Sequence, residues 1–254
     1  MRQLLPTPID EADPYEVYRP DDPTVPLLRV NMVASADGAA TDAQGRAGGL
    51  AGEGDQEVFR TLRALADGIL VGASTVRVEG YGPHRLRADL ARRREADGRA
   101  APAPIVVVTR SLDLDLASPL FTGGRTPTVV LTCAAAPADR RRAAEQTARV
   151  LVVGDADVDL ERAVATLRTE FGLAHLLCEG GPTLNAGLIG AGLVDELCLT
   201  IAPALTGTGR LRIVADEGPP PNPLAGKVVL RRLSLLTACE QDSELYLRYA
   251  FWPG

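Results

Sequence analysis

The stretch ILVGASTV, residues 69–76, joins a strand-like apolar run to a helix-like run through a single glycine. A second stretch of the same kind, LLCEGGPTL, occupies residues 176–184. In both, the apolar run stops at glycine and a hydroxyl-bearing residue follows near the start of the helix-like run. Such a turn directs free backbone N–H groups and a helix N-terminus at one spot, where they can hold a phosphate without lysine. Two of these turns predict an α/β chain whose ligand carries several phosphates, as a dinucleotide does.

Short apolar runs alternate with helix-like periodicity along most of the chain. Strands are predicted at 27–35, 68–72, 105–109, 128–132, 150–153, 174–178 and 195–201. Helices are predicted at 54–66, 138–148, 160–171 and 181–192. Two longer runs at the end of the chain, 228–239 and 244–251, predict an antiparallel hairpin. The fold class is therefore α/β, a single domain with a mostly parallel central sheet flanked by helices and an antiparallel C-terminal hairpin.

Composition limits the domain organisation and the partners. Residues 1–26 are acidic and proline-rich and are predicted to be an N-terminal extension before one domain over 27–254. The net charge of −6 argues against a nucleic-acid partner. No apolar run approaches the ~20 residues that cross a bilayer, so no membrane partner is expected. The scattered cysteines favour free thiols in a reducing cytoplasm.

Several common site motifs are missing from the sequence. No G-x-G-x-x-G follows the first predicted strand, and neither a Walker loop nor the G-x-S-x-G turn of serine hydrolases occurs. With no C-x-x-C and only two histidines, no metal site is expected. Phosphate-binding turns and carboxylates are the functional groups that remain.

Five short motifs occur in an order that resembles a known family. They are VASADG at 33–38, LVGASTV at 70–76, EGGPTL at 179–184, GLVDEL at 192–197 and Ala202-Pro203. This order resembles the riboflavin-biosynthesis pyrimidine reductases, the reductase half of bifunctional deaminase–reductases, which share the dihydrofolate reductase fold. The H-x-E and P-C-x-x-C motifs of the deaminase half are absent. The resemblance implies a stand-alone, dihydrofolate reductase-like enzyme that forms a homodimer.

The resemblance also implies NADPH as the hydride donor. The glycine turns would hold its phosphates. The residues after the third predicted strand resemble the site that binds the adenosine 2′-phosphate, and arginine suits a phosphate by its charge and its fork geometry. The end of the first strand would line the nicotinamide. The Gly-rich stretch 45–54 is either a flap that excludes water or a simple connection. The implied cofactor-binding residues are Ala34, Ser35, Gly49, Leu50, Gly72, Ser74, Thr75, Thr109, Arg110, Ser111, Gly180, Gly181, Thr183 and Leu184.

The substrate end departs from the family pattern. Where these reductases usually carry Asp-Pro after the first glycine turn, this chain has RVEGYGP at 77–83, with glutamate as the acid. Asp55 resembles the helix carboxylate with which dihydrofolate reductases hold the pterin, although the helix dipole favours an acid in any first turn. The implied substrate-binding residues are Asp37, Asp55, Phe59, Glu79 and Tyr81.

Three functions remain open. The first is NADPH-dependent reduction of a C=N bond, most simply that of 5-amino-6-(5-phosphoribosylamino)uracil. The second is reduction of dihydrofolate or another pterin, and the third is nucleotide binding without catalysis. Both reductions add a hydride to carbon and a proton to nitrogen. Asp55 and Glu179 are the candidate catalytic residues, because a buried carboxylate stabilises the cation that develops.

Overall fold

The computed structural model describes residues 1–99, 101–207, 211–214 and 231–252. The strands in this part of the chain are β1 (Arg2–Leu5), β2 (Leu27–Ser35), β3 (Gly68–Gly72), β4 (Ile105–Val108), β5 (Val129–Thr132), β6 (Arg149–Val152), β7 (His175–Cys178), β8 (Glu196–Ala202), β9 (Leu233–Gln241) and β10 (Glu244–Phe251). The helices are α1 (Pro14–Tyr18), α2 (Glu53–Leu65), α3 (Ala73–Glu79), α4 (Ala88–Ala96), α5 (Pro119–Thr122), α6 (Ala138–Ala144), α7 (Leu160–Phe171) and α8 (Pro182–Gly190). A 3₁₀ turn covers Ala47–Gly49.

These strands form one sheet in the order β1-β9-β10-β8-β2-β7-β3-β4-β5-β6. The run from β8 to β6 is parallel, whereas β1, β9 and β10 add an antiparallel edge through β8. Carboxyl ends of parallel strands meet at one edge of a sheet, which is where such folds bind ligands. The exits of β2, β7, β3 and β4 therefore lie side by side.

Helices cover both faces of the sheet. On one face, α1 to α4 pack over a core to which α2 contributes Val58, Leu62 and Leu65, apolar residues spaced along one side of the helix. On the other face, α7 and α8 pack over a second core that includes Leu167 and Leu188. This arrangement, with its antiparallel C-terminal hairpin, confirms the predicted fold class.

Most predicted elements are present, and the largest differences lie at element ends. The helix predicted over 138–148 ends at Ala144, because the residues after it turn back into β6. The first arm of the hairpin runs Leu233–Gln241, and 228–230 lie outside the described residues. Four elements have the predicted bounds: 27–35, 68–72, 160–171 and 244–251.

The segment 1–26 contributes two elements that the sequence patterns did not predict. β1 extends the sheet by pairing antiparallel with β9, and α1 packs against α2. A strand of four residues is too short to show an alternating pattern, so its place depends on its partner strand. The helix did leave a local signal: Asp13 accepts the N–H of Tyr15 at 2.9 Å, and Pro14 occupies the first helical position.

Candidate active site

The two glycine turns lie against each other at the carboxyl edge of the sheet. They follow the neighbouring strands β3 and β7, and the N–H of Gly72 donates to the carbonyl of Gly180 at 2.8 Å. Gly180 has a φ of +88°, which favours glycine. A Cβ on Gly181 would lie 2.7 Å from Oγ1 of Thr75, so only glycine allows this approach without a shift. The two turns thus form one continuous backbone surface.

The other predicted cofactor residues surround this surface unevenly. Thr109 is buried at the exit of β4, and its Oγ1 accepts the N–H of Leu112 at 3.0 Å, which shapes the turn. Arg110 and Ser111 are exposed beside it. Ser74 is exposed at the start of α3, while Thr183 and Leu184 lie in the first turn of α8 and are half-buried and buried, respectively.

The residues that follow the carboxyl end of β2 form a tight turn held by the side chain of Ser35. Ala34 is buried, and Oγ of Ser35 donates to the carboxylate of Asp37 at 2.5 Å and accepts the N–H of Ala39 at 3.0 Å. Asp37 also accepts the N–H groups of Thr206 and Gly207. The Ser35 hydroxyl and then these amides lower the pKa of Asp37 to about 2. Asp37 is exposed and lies outside the cleft described next.

A cleft of about 380 Å³ opens between α2, β2 and the two glycine turns. Most of the predicted substrate residues line it, which brings together positions far apart in the sequence. The predicted residues among its lining are Asp55, Phe59, Thr75, Glu79, Tyr81 and Glu179. Two further lining residues, Asn31 and Arg63, were not predicted.

A charge cluster forms one wall of this cleft. The guanidinium of Arg63 donates to both carboxylate oxygens of Glu179, at 2.6 and 2.7 Å, and the hydroxyl of Tyr81 donates to Glu179 at 2.7 Å. Arg63 also stacks over the ring of Phe59, 4.1 Å from its centroid. Burial, and then the neighbouring carboxylate, hold the pKa of Tyr81 well above its usual value. Both oxygens of Glu179 are therefore already engaged.

In the lining of the same cleft, two buried oxygen atoms have no hydrogen-bond partner among the described residues. They are Oδ1 of Asp55 on α2 and Oδ1 of Asn31 on β2. Burial raises the pKa of Asp55, and a hydrogen bond with Thr200 opposes that rise. Buried acceptors without donors are rare in native structures and mark places where water or a ligand completes the site. A lone asparagine in an apolar strand is itself a sequence signal, and it was missed.

The Gly-rich stretch closes part of the cleft. Its 3₁₀ turn places Ala47 and Gly48 in the lining, and the N–H of Ala47 donates to Oε1 of Glu79 at 2.8 Å. Of the two residues predicted here to contact cofactor, Gly49 is exposed and Leu50 is buried. Glu79 thereby connects this turn to the end of α3.

A second cavity, of about 410 Å³, adjoins the first. The two share Gln56, Phe59 and Arg63 in their linings. The remaining wall is basic, and burial, followed by the charge of Arg63, lowers the pKa of His84 there to about 4. The cationic residues in its lining are Arg60, Arg63, Arg85 and Arg87. The sequence patterns did not indicate this cavity.

Three general features hold for the described residues. Among them, no three His, Cys, Asp or Glu side chains are grouped as metal ligands would be. All four cysteines are buried and free. Over the same residues, no helix has the length and apolar character needed to cross a membrane.

Comparison with known proteins identifies the family. The family model of the RibD C-terminal domain matches residues 26–243. The chain is 31% identical over 182 residues to the 2,5-diamino-6-ribosylamino-4(3H)-pyrimidinone 5′-phosphate reductase of Archaeoglobus fulgidus, covering 72% of this chain and 82% of the relative. It is 30% identical over 193 residues to the Methanothermobacter thermautotrophicus enzyme of the same name, covering 75% and 84%.

Solved structures have the same fold. A pyrimidine reductase-like protein of Corynebacterium diphtheriae superposes with a TM-score of 0.78 at 26% identity, covering 96% of this chain and all of that one (100%). The riboflavin biosynthesis reductase Rib7 of Saccharomyces cerevisiae superposes with a TM-score of 0.59 at 17% identity, covering 94% and 95%. The predicted family is confirmed: this chain belongs to the RibD C-terminal domain family, the reductases of riboflavin biosynthesis.

Proposed function

We propose that this chain is an NADPH-dependent reductase of a phosphoribosylamino-pyrimidine and acts on the C=N bond of its open-chain sugar. NADPH, when bound, supplies the hydride that adds to the carbon of that bond. The nitrogen takes a proton from water. The residues of the chain hold the two reactants in line and exclude bulk solvent, which accounts for much of the rate enhancement in such reactions.

The glycine turns suit the cofactor. Glycine lets their backbones approach each other and Thr75 closely, and α8 begins directly after Gly181, so its N-terminus favours a phosphate. Arg110, exposed two strands away from Glu179 at the same edge, suits the 2′-phosphate that distinguishes NADPH from NADH. Ala34 and Ser35 at the exit of β2, with the turn around Leu50, would border the nicotinamide.

The two unpaired oxygens of Asp55 and Asn31 are the observation that carries the choice of substrate. A 2-amino-pyrimidinone presents two adjacent donors, the 2-amino group and N3–H, to such a pair of acceptors. A uracil presents N3–H beside a carbonyl oxygen, which would face Asp55 or Asn31 as a second acceptor. We therefore favour the 2,5-diamino-pyrimidinone, the compound for which the archaeal relatives are named, over the uracil expected from sequence.

The basic second cavity suits the phosphate of this substrate. It opens beside the first at Phe59, so a ligand whose base contacts Asp55 could extend its sugar phosphate toward the arginines. Arg60 and Arg85 are exposed there, and a guanidinium binds phosphate with two parallel hydrogen bonds. Glu179 would act through Arg63 by fixing its position between the two cavities, whereas Asp55 would contact the base.

Reduction of dihydrofolate is the second candidate, because a pterin presents the same 2-amino and ring N–H donors to Asp55. The two substrates differ at the other end, since dihydrofolate carries a carboxylate tail where the pyrimidine carries a phosphate. Either anion would suit the arginines of the second cavity. Only a comparison of acceptors separates the two.

A homodimer in the cytoplasm completes the proposal. The face of β8, β10 and β9 turned away from α1 and α2 carries an apolar row in which Leu235 and Leu245 are 41% and 38% exposed. Leu199, Leu247 and Tyr249 are half-buried in the same row. A second copy of the chain would cover this row. Light scattering should give the mass of a dimer, and Leu245→Arg should give a monomer, whereas Leu5→Arg at another exposed site should not.

The test is loss of NADPH absorbance with the diamino-pyrimidinone phosphate, its uracil analogue and dihydrofolate offered in parallel. We expect fastest turnover of the first, and Asp55→Asn should reduce it by roughly 10²-fold or more. Glu53→Gln is the matched control, because Glu53 is the other acid in the first turn of α2 and is exposed. Equal effects of the two variants would reduce Asp55 to a helix-start acid. NADPH binding without any turnover would favour the non-catalytic alternative.

A further inference from the structure

Strand β10 places two polar side chains against the beginning of helix α2. The N–H of Gly52, which precedes the helix, donates to Oε1 of Glu244 at 2.9 Å. The hydroxyl of Tyr246 donates to the other oxygen, Oε2, at 2.5 Å. Glu244 is only 5% exposed and Tyr246 only 1%. A carboxylate from a distant strand therefore caps the helix, a position where negative charge is favoured.

The contact between the two elements is unusually close. A Cβ on Gly52 would lie 2.6 Å from Oε1 of Glu244, and one on Gly54 would lie 1.9 Å from Oη of Tyr246. Glycine at both positions is what allows the first turn of α2 to approach β10 this closely. Asp55 is the next residue of that turn, so its place at the cleft depends on this contact.

We infer that Glu244 is a positioning residue for Asp55: it fixes the first turn of α2 from β10 and so sets where the Asp55 carboxylate meets the substrate. This inference rests on the proposed function, in which Asp55 holds the base of the pyrimidine. Glu244 itself does not line either cavity. It therefore acts through Asp55 and does not contact the substrate.

Charge gives Glu244 a second effect on Asp55. Burial is the main cause of the raised pKa of Asp55, the Thr200 hydroxyl opposes it, and the negative charge of Glu244 adds to it. Tyr246 is the other titratable group that faces Asp55 from β10. Arg63 and Glu179, in the same cleft, are paired with each other. Removing the charge of Glu244 should therefore lower the pKa of Asp55.

The experiment compares Glu244→Gln with Glu240→Gln, a matched control on β9 whose partner is the exposed Arg2. Glutamine keeps one oxygen as acceptor and replaces the other by an NH₂ donor, so the hydrogen bonds to Gly52 and Tyr246 become weaker neutral ones and the first turn of α2 should loosen. We expect KM for the pyrimidine to rise by roughly tenfold to 10²-fold, with KM for NADPH unchanged. The acid limb of the pH profile should move to lower pH. The ¹³C resonance of the Asp55 carboxyl, assigned from its loss in Asp55→Asn, should titrate at lower pH, and the control should change none of these.

A purely structural role would give a different result. A lower unfolding midpoint with unchanged KM and an unchanged Asp55 titration would overturn the inference. If Glu244→Gln does not fold, Tyr246→Phe keeps the charge and frees one carboxylate oxygen, so KM for the pyrimidine should still rise, and an unchanged KM would contradict us. If the wild type reduces none of the acceptors, the proposed function fails, while the carboxyl titration still tests the link between Glu244 and Asp55.

Discussion

Two buried arginine–glutamate clusters lie on the same side of the sheet and have opposite surroundings. In the first, Glu196 accepts from Arg29 at 2.7 Å and from Arg248 at 2.6 and 2.9 Å, and all three side chains are under 10% exposed. In the second, Glu179 pairs with Arg63, whose side chain is 17% exposed at the wall of the cleft. We call them the sealed cluster and the open cluster.

Each arginine of the sealed cluster also donates to a backbone carbonyl, and Nη2 of Arg29 is buried without a partner among the described residues. Arg29 donates to the carbonyl of Tyr18 at 2.6 Å and Arg248 to that of Val17 at 3.2 Å, at the carboxyl end of α1. Cations are favoured at that end of a helix, so the cluster attaches α1 to the sheet. The open cluster instead presents Arg63 over the ring of Phe59 to the cleft. Similar chemistry thus attaches a helix to the sheet in one place and forms the wall of a cleft in the other.

The largest loss in the free energy of unfolding is expected from breaking the sealed cluster. Burial alone would raise the pKa of Glu196, but the two arginines more than offset it and leave the pKa below its usual value. Glu196→Gln should lower the free energy of unfolding by about 3–5 kcal/mol, because it leaves two buried cations without a counter-charge. Urea denaturation at neutral pH measures the loss.

The exposed pair of Arg2 and Glu240 is the control for that measurement. Arg2→Ala should cost less than about 1 kcal/mol, as surface pairs do. A loss of that size in Glu196→Gln would mean that the sealed cluster contributes no more than a surface pair. When the concentrations of folded protein are equal, Glu196→Gln should have the same KM for the pyrimidine and for NADPH as the wild type.

Breaking the open cluster should have a smaller effect on stability and a larger one on activity. In Glu179→Gln, water from the cleft can solvate Arg63, so we expect a loss of about 1–3 kcal/mol in unfolding free energy. The displaced guanidinium should reduce kcat/KM by roughly 10²-fold. Denaturation and kinetics on the same preparation check both values. A stability loss equal to that of Glu196→Gln with unchanged kinetics would make the open cluster a second structural one.

The glycine turns, unlike the two clusters, could be predicted from the sequence. The glycine turns are local signals, because the strand end, the glycine and the helix start all lie within a few residues. They and the motif order were enough for the fold and the family, both confirmed. The same turns contain Gly72 and Gly180, whose contact requires only that β3 and β7 are neighbours.

The charged part of the site could not be predicted in that way. Arg63 and Glu179 are 116 residues apart, and Gly52 and Glu244 are 192 apart. Each pair depends on the order of strands across the sheet, and no periodic pattern reports which strands become neighbours. Individual acids such as Asp55 were recognised as candidates, but their partners were not. The sequence thus indicated the residue types that line the cleft without their geometry.

Removing the charge of Asp55 should raise the free energy of unfolding, whereas removing that of Glu196 or Glu179 should lower it. The buried carboxyl of Asp55 has no cationic partner among the described residues. Its pKa is raised in the folded state, chiefly by burial, so its contribution to stability is lost as pH rises through that value. Asp55→Asn should therefore stabilise the protein at neutral pH by about 0.5–2 kcal/mol while reducing turnover. The gain should vanish at acid pH, where the wild-type carboxyl is neutral. Urea denaturation across pH measures it, and a destabilised variant at neutral pH would contradict this account.

The smallest effect on stability is expected from substituting Asp37, an exposed carboxylate outside both clusters. Its pKa of about 2 comes from the Ser35 hydroxyl and the amides of Thr206 and Gly207, so those contacts should persist until pH falls through that value. Because water solvates the group in both states, Asp37→Asn should leave the urea midpoint unchanged and only speed amide exchange at Thr206 and Gly207. A urea-midpoint shift as large as that of Glu179→Gln would show that burial does not decide how much each charge contributes to stability. The contrast between the sealed and open clusters would then lose its physical basis.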